Sequence, residues 1–184
     1  RKHLRSLSTK LRQDLGKGVL AAILMNTGRV GASVCAISPE KVPMIEFPLF
    51  YDNRIVWKGE KRGQVPGVDL PSLEVATPPE FGGHEGAWSP EQCFVAAVNT
   101  CLMTTFLAIA QLSKLSFESY EAEASGKLEK PEGQVMQFTE ITIRPRLVIT
   151  HSRDLERAGR LLEKAEKQCL ISNSIKAAVR VEAH

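Results

Sequence analysis

Two of the four cysteines in this chain, Cys101 and Cys169, stand where a thiol could react. Each lies on the apolar face of a segment with helical periodicity, and each has polar residues close by. Cys101 falls within the run Ser89-Pro90-Glu91-Gln92-Cys93-Phe94-Val95-Ala96-Ala97-Val98-Asn99-Thr100-Cys101. Cys169 closes a second helical segment and precedes Leu170-Ile171-Ser172-Asn173-Ser174. Brought together by the fold, two such thiols form a redox pair, because a thiolate is a nucleophile and its oxidised form condenses with a second thiol. Kept apart, each is a small core residue, the usual state of a cysteine on an apolar face.

Other chemistries find little footing. No pair of cysteines forms C-x-x-C, and His3, His84, His151 and His184 are scattered, so a structural zinc site is not expected. His84 beside Glu85 reads as a solvated loop. Four cysteines in 184 residues are too sparse for the disulfide framework of a small secreted domain. No flavin, haem or metal motif appears, and no cofactor is expected. The net charge of +3 does not argue for nucleic acid, and the body of the chain has no basic patch interleaved with aromatics.

The elements that must position the thiols read from periodicity. Arg54–Lys58 and Leu73–Ala76 are short strands, the first turned by Gly59–Gly63, the second ended by Thr77-Pro78-Pro79. Phe81-Gly82-Gly83-His84-Glu85-Gly86 is a glycine-rich loop. A helix then begins with strong signals: Ser89 as N-cap, Pro90 at the first helical position, and Gln92 completing a capping box. Between Glu91 and Lys114 no side chain is charged, so this helix is apolar almost all round. Such a helix spans a membrane or lies in a core. Asn99, Thr100, Thr104 and Thr105 in its middle, and the strands around it, favour the core.

Tyr120, Ala122 and Ala124 alternate with polar residues in a half-exposed strand. Gly126–Gly133 makes a hairpin connection, and 135–149 forms a long antiparallel strand with period two. A second, amphipathic helix starts at an Asp154 cap, with Leu155, Ala158, Leu161, Leu162, Ala165 and Cys169 in one stripe. Ile175–Val181 is a final strand. The expected fold class is α+β, an antiparallel sheet packed on a long buried central helix. One domain cannot easily enclose a helix apolar on every side, so a symmetric homodimer is expected.

Residues 1–48 differ in texture and form a basic N-terminal extension to a domain at 49–184. Residues 1–30 hold seven Lys/Arg and one Asp, and include the apolar run Val19–Met25, which is too short to span a bilayer. The segment resembles a targeting sequence or a surface helix. A cytoplasmic location is the expectation, with targeting or membrane association through residues 1–30 as the alternative.

Several pieces of the chain, in order, resemble the OsmC/Ohr family of osmotically inducible and organic-hydroperoxide-resistance proteins. These are Trp57-Lys58-Gly59-Glu60-Lys61-Arg62-Gly63, Pro78-Pro79-Glu80-Phe81-Gly82-Gly83, Ser89-Pro90-Glu91-Gln92 with Cys101 ten residues after Glu91, and Ala165-Glu166-Lys167-Gln168-Cys169-Leu170-Ile171-Ser172-Asn173-Ser174-Ile175. The resemblance implies an intertwined homodimer with two sites near the subunit interface. It implies thiol-dependent reduction of organic or fatty-acid hydroperoxides, an antioxidant stress response with a lipoyl-type dithiol as reductant. Matched by position, Cys101 corresponds to the peroxidatic cysteine, Cys169 to the resolving cysteine and Glu91 to the helix-start glutamate. Cys93 has no catalytic counterpart, and Cys35 lies outside the match.

The family also places an arginine at the site, for a physical reason. A buried thiol is pushed toward its neutral form, so something must favour the thiolate, and a guanidinium stays charged at any working pH. Arg62 is the candidate, with Arg54, Arg144 and Arg146 as alternatives, and Glu91 would brace it. The competing expectation is a non-peroxidatic dimer that binds a small apolar molecule or lipid in the same apolar pocket.

Overall fold

The computed structural model of the protein describes residues 46–184 apart from Val68. The readings made on 1–45, including the basic segment, the apolar run and Cys35, lie outside the described residues. From Tyr51 to His184 the chain forms one unit.

Two three-stranded sheets carry the strands. In the first, β1 (Val56–Gly59), β2 (Arg62–Val65) and β3 (Leu73–Ala76) run antiparallel, with Trp57 opposite Gly63 and Arg62 opposite Ala76. The sequence reading put a turn where β2 runs. Arg62-Gly63-Gln64-Val65 lacks the β-branched alternation that marks a strand, and its pairing is supplied by neighbours on both sides. Lys61 fastens this hairpin to the glycine loop by donating from Nζ to the carbonyls of Phe81 and Gly82, at 2.9 Å each. Gly83 permits the close approach there, since a Cβ on it would lie 1.7 Å from the Thr77 carbonyl oxygen.

The second sheet is ordered β4 (Phe117–Glu129), β5 (Gln137–Ile149), β6 (Ala178–Val181). β4 and β5 are antiparallel from Phe117 opposite Ile149 to Glu129 opposite Gln137. The strand therefore continues through Gly126, which the sequence reading gave to the connection. β6 starts later than the predicted Ile175 and joins β5 in parallel, Ile141 opposite Val179. A helix lies between β5 and β6, and a helical crossover returns the chain in its original direction.

The central helix α1 spans Pro90–Leu112 and begins as its sequence dictates. Gln92 N–H donates to Ser89 Oγ at 3.1 Å, and Ser89 N–H donates to Gln92 Oε1 at 3.0 Å. Such caps stabilise by about 1 kcal/mol. The hydroxyls in its apolar middle are satisfied by the helix itself: Thr100 donates to the Ala96 carbonyl at 2.7 Å, Thr104 to that of Cys101 at 3.1 Å. Its buried stripe is Val98, Leu102, Phe106, Ile109 and Ala110. Ala97, Thr100, Thr104, Leu107, Ala108 and Gln111 on the opposite face are exposed in the single chain.

The amphipathic helix α2, Leu155–Gln168, packs against α1 and buries Ala158, Leu162 and Ala165. Asp154 occupies the cap position but does not cap. Its carboxylate accepts from Arg157 at 3.5 Å, and the same guanidinium donates to the Ser113 carbonyl at the end of α1. Arg157 thus links the two helices, and the acid that the sequence offers as a cap pairs with it instead.

The core lies between these helices and the second sheet. Phe106 is wholly buried, its ring 5.7 Å from that of Phe117 and 5.5 Å from that of Tyr120. The Tyr120 hydroxyl is buried without a partner, and burial pushes the phenol up to about 12. The folded state therefore favours the neutral phenol. That contribution is fully present below the pH where an unfolded tyrosine ionises, about 10, and is lost as pH rises toward 12. Tyr120→Phe should leave stability at neutral pH unchanged or raise it by about 1 kcal/mol, and should flatten the decline between those two pH values. Denaturant midpoints measured near pH 7 and pH 11 check both parts.

Gly126 is where β4 passes closest to α1. A Cβ there would sit 2.6 Å from Val95 Cγ2 and 2.7 Å from Phe138 Cε1. Phe138 is already packed on Phe94 with ring centroids 5.0 Å apart, so it can give way only by disturbing that contact. Gly126→Ala should destabilise by about 1–3 kcal/mol, read as a lower denaturant midpoint at an unchanged slope.

Candidate active site

Cys101 sits at the middle of α1, beside the turn that follows α2. The end of α2 sets that turn. Cys169 is the C-cap residue, with extended backbone (φ −62°, ψ 112°), and its N–H donates to the Glu166 carbonyl at 3.3 Å. The chain then reverses through Ser172–Ser174. This reversal points the Ile171 N–H at Cys101 Sγ, 3.4 Å away. Cys169 is fully buried, Cys101 partly so, and the two thiols are hydrogen-bonded. The fold brings together the two sulfurs that the sequence singled out.

Their environments push them apart in acidity. Burial raises the Cys101 thiol, but the Ile171 N–H, the Cys169 thiol, the Thr105 hydroxyl and the Leu170 N–H together outweigh it, leaving Cys101 below an ordinary thiol. For Cys169 burial dominates. The Ser172 hydroxyl and N–H oppose it, the neighbouring Cys101 adds to it, and the thiol ends above the ordinary range. A negative charge on the pair therefore settles on Cys101, with Cys169 as the proton-bearing donor. One sulfur is suited to attack and the other to wait.

Among the described residues, the groups that favour a Cys101 thiolate are neutral donors, and no arginine is among them. Arg62 is exposed on β2 and enters no ion pair among the described residues. Arg54 is exposed ahead of β1. Arg144 is engaged by Glu182 at 2.9 Å and donates to Ser125 Oγ at 3.3 Å. Arg146 is exposed on β5 opposite Glu121. Glu91 lies in the first turn of α1, ten residues before Cys101, which at 1.5 Å per residue separates them by about 15 Å along the axis. Cys93 is a partly buried free thiol.

Glu91 faces something else. Together with Trp88, Val95, Ala96, Asn99 and Phe138 it lines a cavity of about 740 Å³ between α1 and the second sheet. Cys101 is not on that lining. Glu91 Oε2 and Asn99 Oδ1 are both buried with no hydrogen-bond donor among the described residues, although Asn99 Nδ2 donates to the Ala122 carbonyl at 3.1 Å. A carboxylate oxygen withdrawn from water without a partner is unfavourable. Its position calls for a donor that the described residues do not supply.

Sequence reasoning missed the neutral donors. Thr105 was legible, since it follows Cys101 by four residues and so lies on the same helix face. The Leu170 and Ile171 amides were not, because a backbone N–H has no sequence signature and its direction depends on the turn.

Residues 82–184 match the sequence profile of the OsmC-like protein family. The uncharacterized protein YmaD of Bacillus subtilis (strain 168) is 28% identical over 131 residues, which span 68% of this chain and 86% of that protein. Among solved structures, an OsmC-like protein of unknown function from Vibrio cholerae superposes with a TM-score of 0.69 at 23% identity, over 74% of this chain and 100% of that one. An organic hydroperoxide resistance protein OsmC from Legionella pneumophila gives a TM-score of 0.59 at 26% identity, over 74% and 97%. The matched stretch covers more than half of the sequence and holds Glu91, Cys101 and Cys169 within the helices and sheet that these neighbours share. By sequence and by architecture the chain belongs to the OsmC-like family.

Proposed function

We propose that this protein is a thiol-dependent peroxidase that reduces organic hydroperoxides to alcohols. The observation that carries the reading is the hydrogen-bonded pair of thiols with opposed acidities, Cys101 lowered and Cys169 raised. The Cys101 thiolate attacks the distal peroxide oxygen. An S–O bond forms, the O–O bond breaks, and the departing alkoxide takes a proton to leave as alcohol. Cys101 is then a sulfenic acid. Cys169 attacks its sulfur, the S–S bond forms, and hydroxide leaves with the Cys169 proton as water. A dithiol, with a lipoyl-type compound the expected class, reduces the disulfide and is itself oxidised to a cyclic disulfide.

A second copy of the chain completes this picture. The open face of α1 and the apolar side chains of Trp57, Leu112 and Val135, 74%, 82% and 79% exposed, need cover. Glu91 is too far along the helix to brace a cation at the Cys101 of its own chain. In a homodimer it can serve the other subunit's thiol, with an arginine such as Arg62 as the donor its orphan oxygen requires.

The test is a single turnover. Reduced protein mixed with one equivalent of cumene hydroperoxide should yield one equivalent of cumyl alcohol and a Cys101–Cys169 disulfide in the peptide map, reversed by dihydrolipoamide. Recovery of intact hydroperoxide with both thiols still free would remove the reading. The cavity beside Glu91 supports the second reading, a dimer that binds a small apolar molecule or lipid, and that outcome would favour it.

A further inference from the structure

The turn after α2 is fixed more firmly than a simple chain reversal requires, and one side chain supplies two of the five hydrogen bonds that fix it. The Asn173 carboxamide donates through Nδ2 to the Cys169 carbonyl at 2.8 Å and to the Lys167 carbonyl at 3.0 Å. The Asn173 backbone N–H adds a second bond to the Cys169 carbonyl at 3.1 Å. Ser174 closes the far side, its N–H to the Ile171 carbonyl at 3.0 Å and its Oγ to the Leu170 carbonyl at 2.8 Å. Within this frame the Ile171 N–H is left for Cys101 Sγ.

The carbonyls that Asn173 occupies lie at the negative end of α2. Left unpaired beside the thiol pair, they would disfavour a thiolate. Asn173 thus acts twice: it neutralises that end of the helix dipole, and it holds the 170–171 amides toward the sulfur. It touches neither sulfur itself.

We propose that Asn173 is a positioning residue for Cys101, clamping the 169–174 turn so that main-chain N–H groups are aimed at its sulfur. The proposal deepens the peroxidase reading and rests on it for its purpose, while its geometry stands apart. Among the described residues, the one titratable side chain acting on Cys101 is Cys169. Of the other groups acting on it, Thr105 comes from its own helix, and Ile171 and Leu170 come from the turn.

The experiment measures alkylation of Cys101 by iodoacetamide between pH 5 and pH 10, on the full reduced chain, with each cysteine resolved by peptide mass spectrometry. Asn173→Ala should raise the pH midpoint for Cys101 and slow its alkylation at pH 7 about fivefold, the effect expected when donors to an anion are misaimed. Asn173→Asp, equal in size but without donors, should behave like Asn173→Ala. A merely structural role for Asn173 would lower the denaturant midpoint and leave the pH midpoint at its native value, and that result overturns the proposal. If Asn173→Ala does not fold, Ser174→Ala is read in its place, with the same shift expected and a native midpoint again decisive against it. Alkylation does not depend on turnover. A shifted midpoint in a chain that reduces no hydroperoxide would sink the peroxidase reading and keep this one, and an unshifted midpoint in an active enzyme would do the reverse.

Discussion

Cys101→Ser should abolish turnover of cumene and tert-butyl hydroperoxide, with a fall of about a thousandfold or more in the steady-state rate. The serine hydroxyl stays protonated at any working pH, so the amides around it have no anion to stabilise. Cys101 is also the sulfur that the turn addresses, since the Ile171 N–H points at it and the Cys169 thiol donates to it. The substitution is nearly isosteric at a partly buried site, so the folded state should persist and circular dichroism should be unchanged. Equal peroxidase rates in the native chain and Cys101→Ser would refute the assignment. Cys93→Ala is the matched control. It removes a partly buried thiol without a catalytic counterpart, and a large loss of rate there would mean the reactive sulfur had been misidentified.

Cys169→Ser has a different signature. Attack and O–O cleavage need only the first thiol, so one equivalent of alcohol should appear in a burst. The sulfenic acid on Cys101 then has no thiol to condense with, and the enzyme stalls. Steady-state turnover with a dithiol reductant should fall by about a hundredfold or more. Dimedone should label Cys101 in the stalled protein and not in the oxidised native chain. Sustained native-like turnover by Cys169→Ser would show that resolution occurs through another thiol. The variant should leave the first step nearly unchanged, because a serine hydroxyl donates to a thiolate at least as readily as a thiol does. A burst that retains its amplitude and its pH dependence fits that exchange.

Much of this was legible before any coordinates, and for identifiable reasons. The capping box at Ser89 and Gln92 is a local device, complete within four residues, and it forms as written. The pairing of the thiols was legible only through the resemblance to the OsmC/Ohr family, since the residues alone left open whether Cys101 and Cys169 meet. The failures share a different cause. Gly126 looked like the start of a turn, and only the approach of Val95 and Phe138 explains a glycine in mid-strand. Asp154 had the identity of a cap, but Arg157 one turn later drew its carboxylate away. The parallel seat of β6 is a matter of connection and not of composition. At the site, the sequence suggested a cation beside Cys101, whereas within the chain the thiolate is favoured by neutral donors. Main-chain N–H groups are common to nearly every residue, so their use at one sulfur leaves no trace in the choice of side chains.

The Ile171 contact bears on evolvability. A dipole that belongs to the peptide unit survives replacement of the side chain at 170 or 171 by anything except proline, so these positions can drift while the sulfur stays reactive. A short, fixed dipole is also screened by electrolyte far less than a distant ionic partner. Reactivity drawn from the backbone should therefore change little with ionic strength.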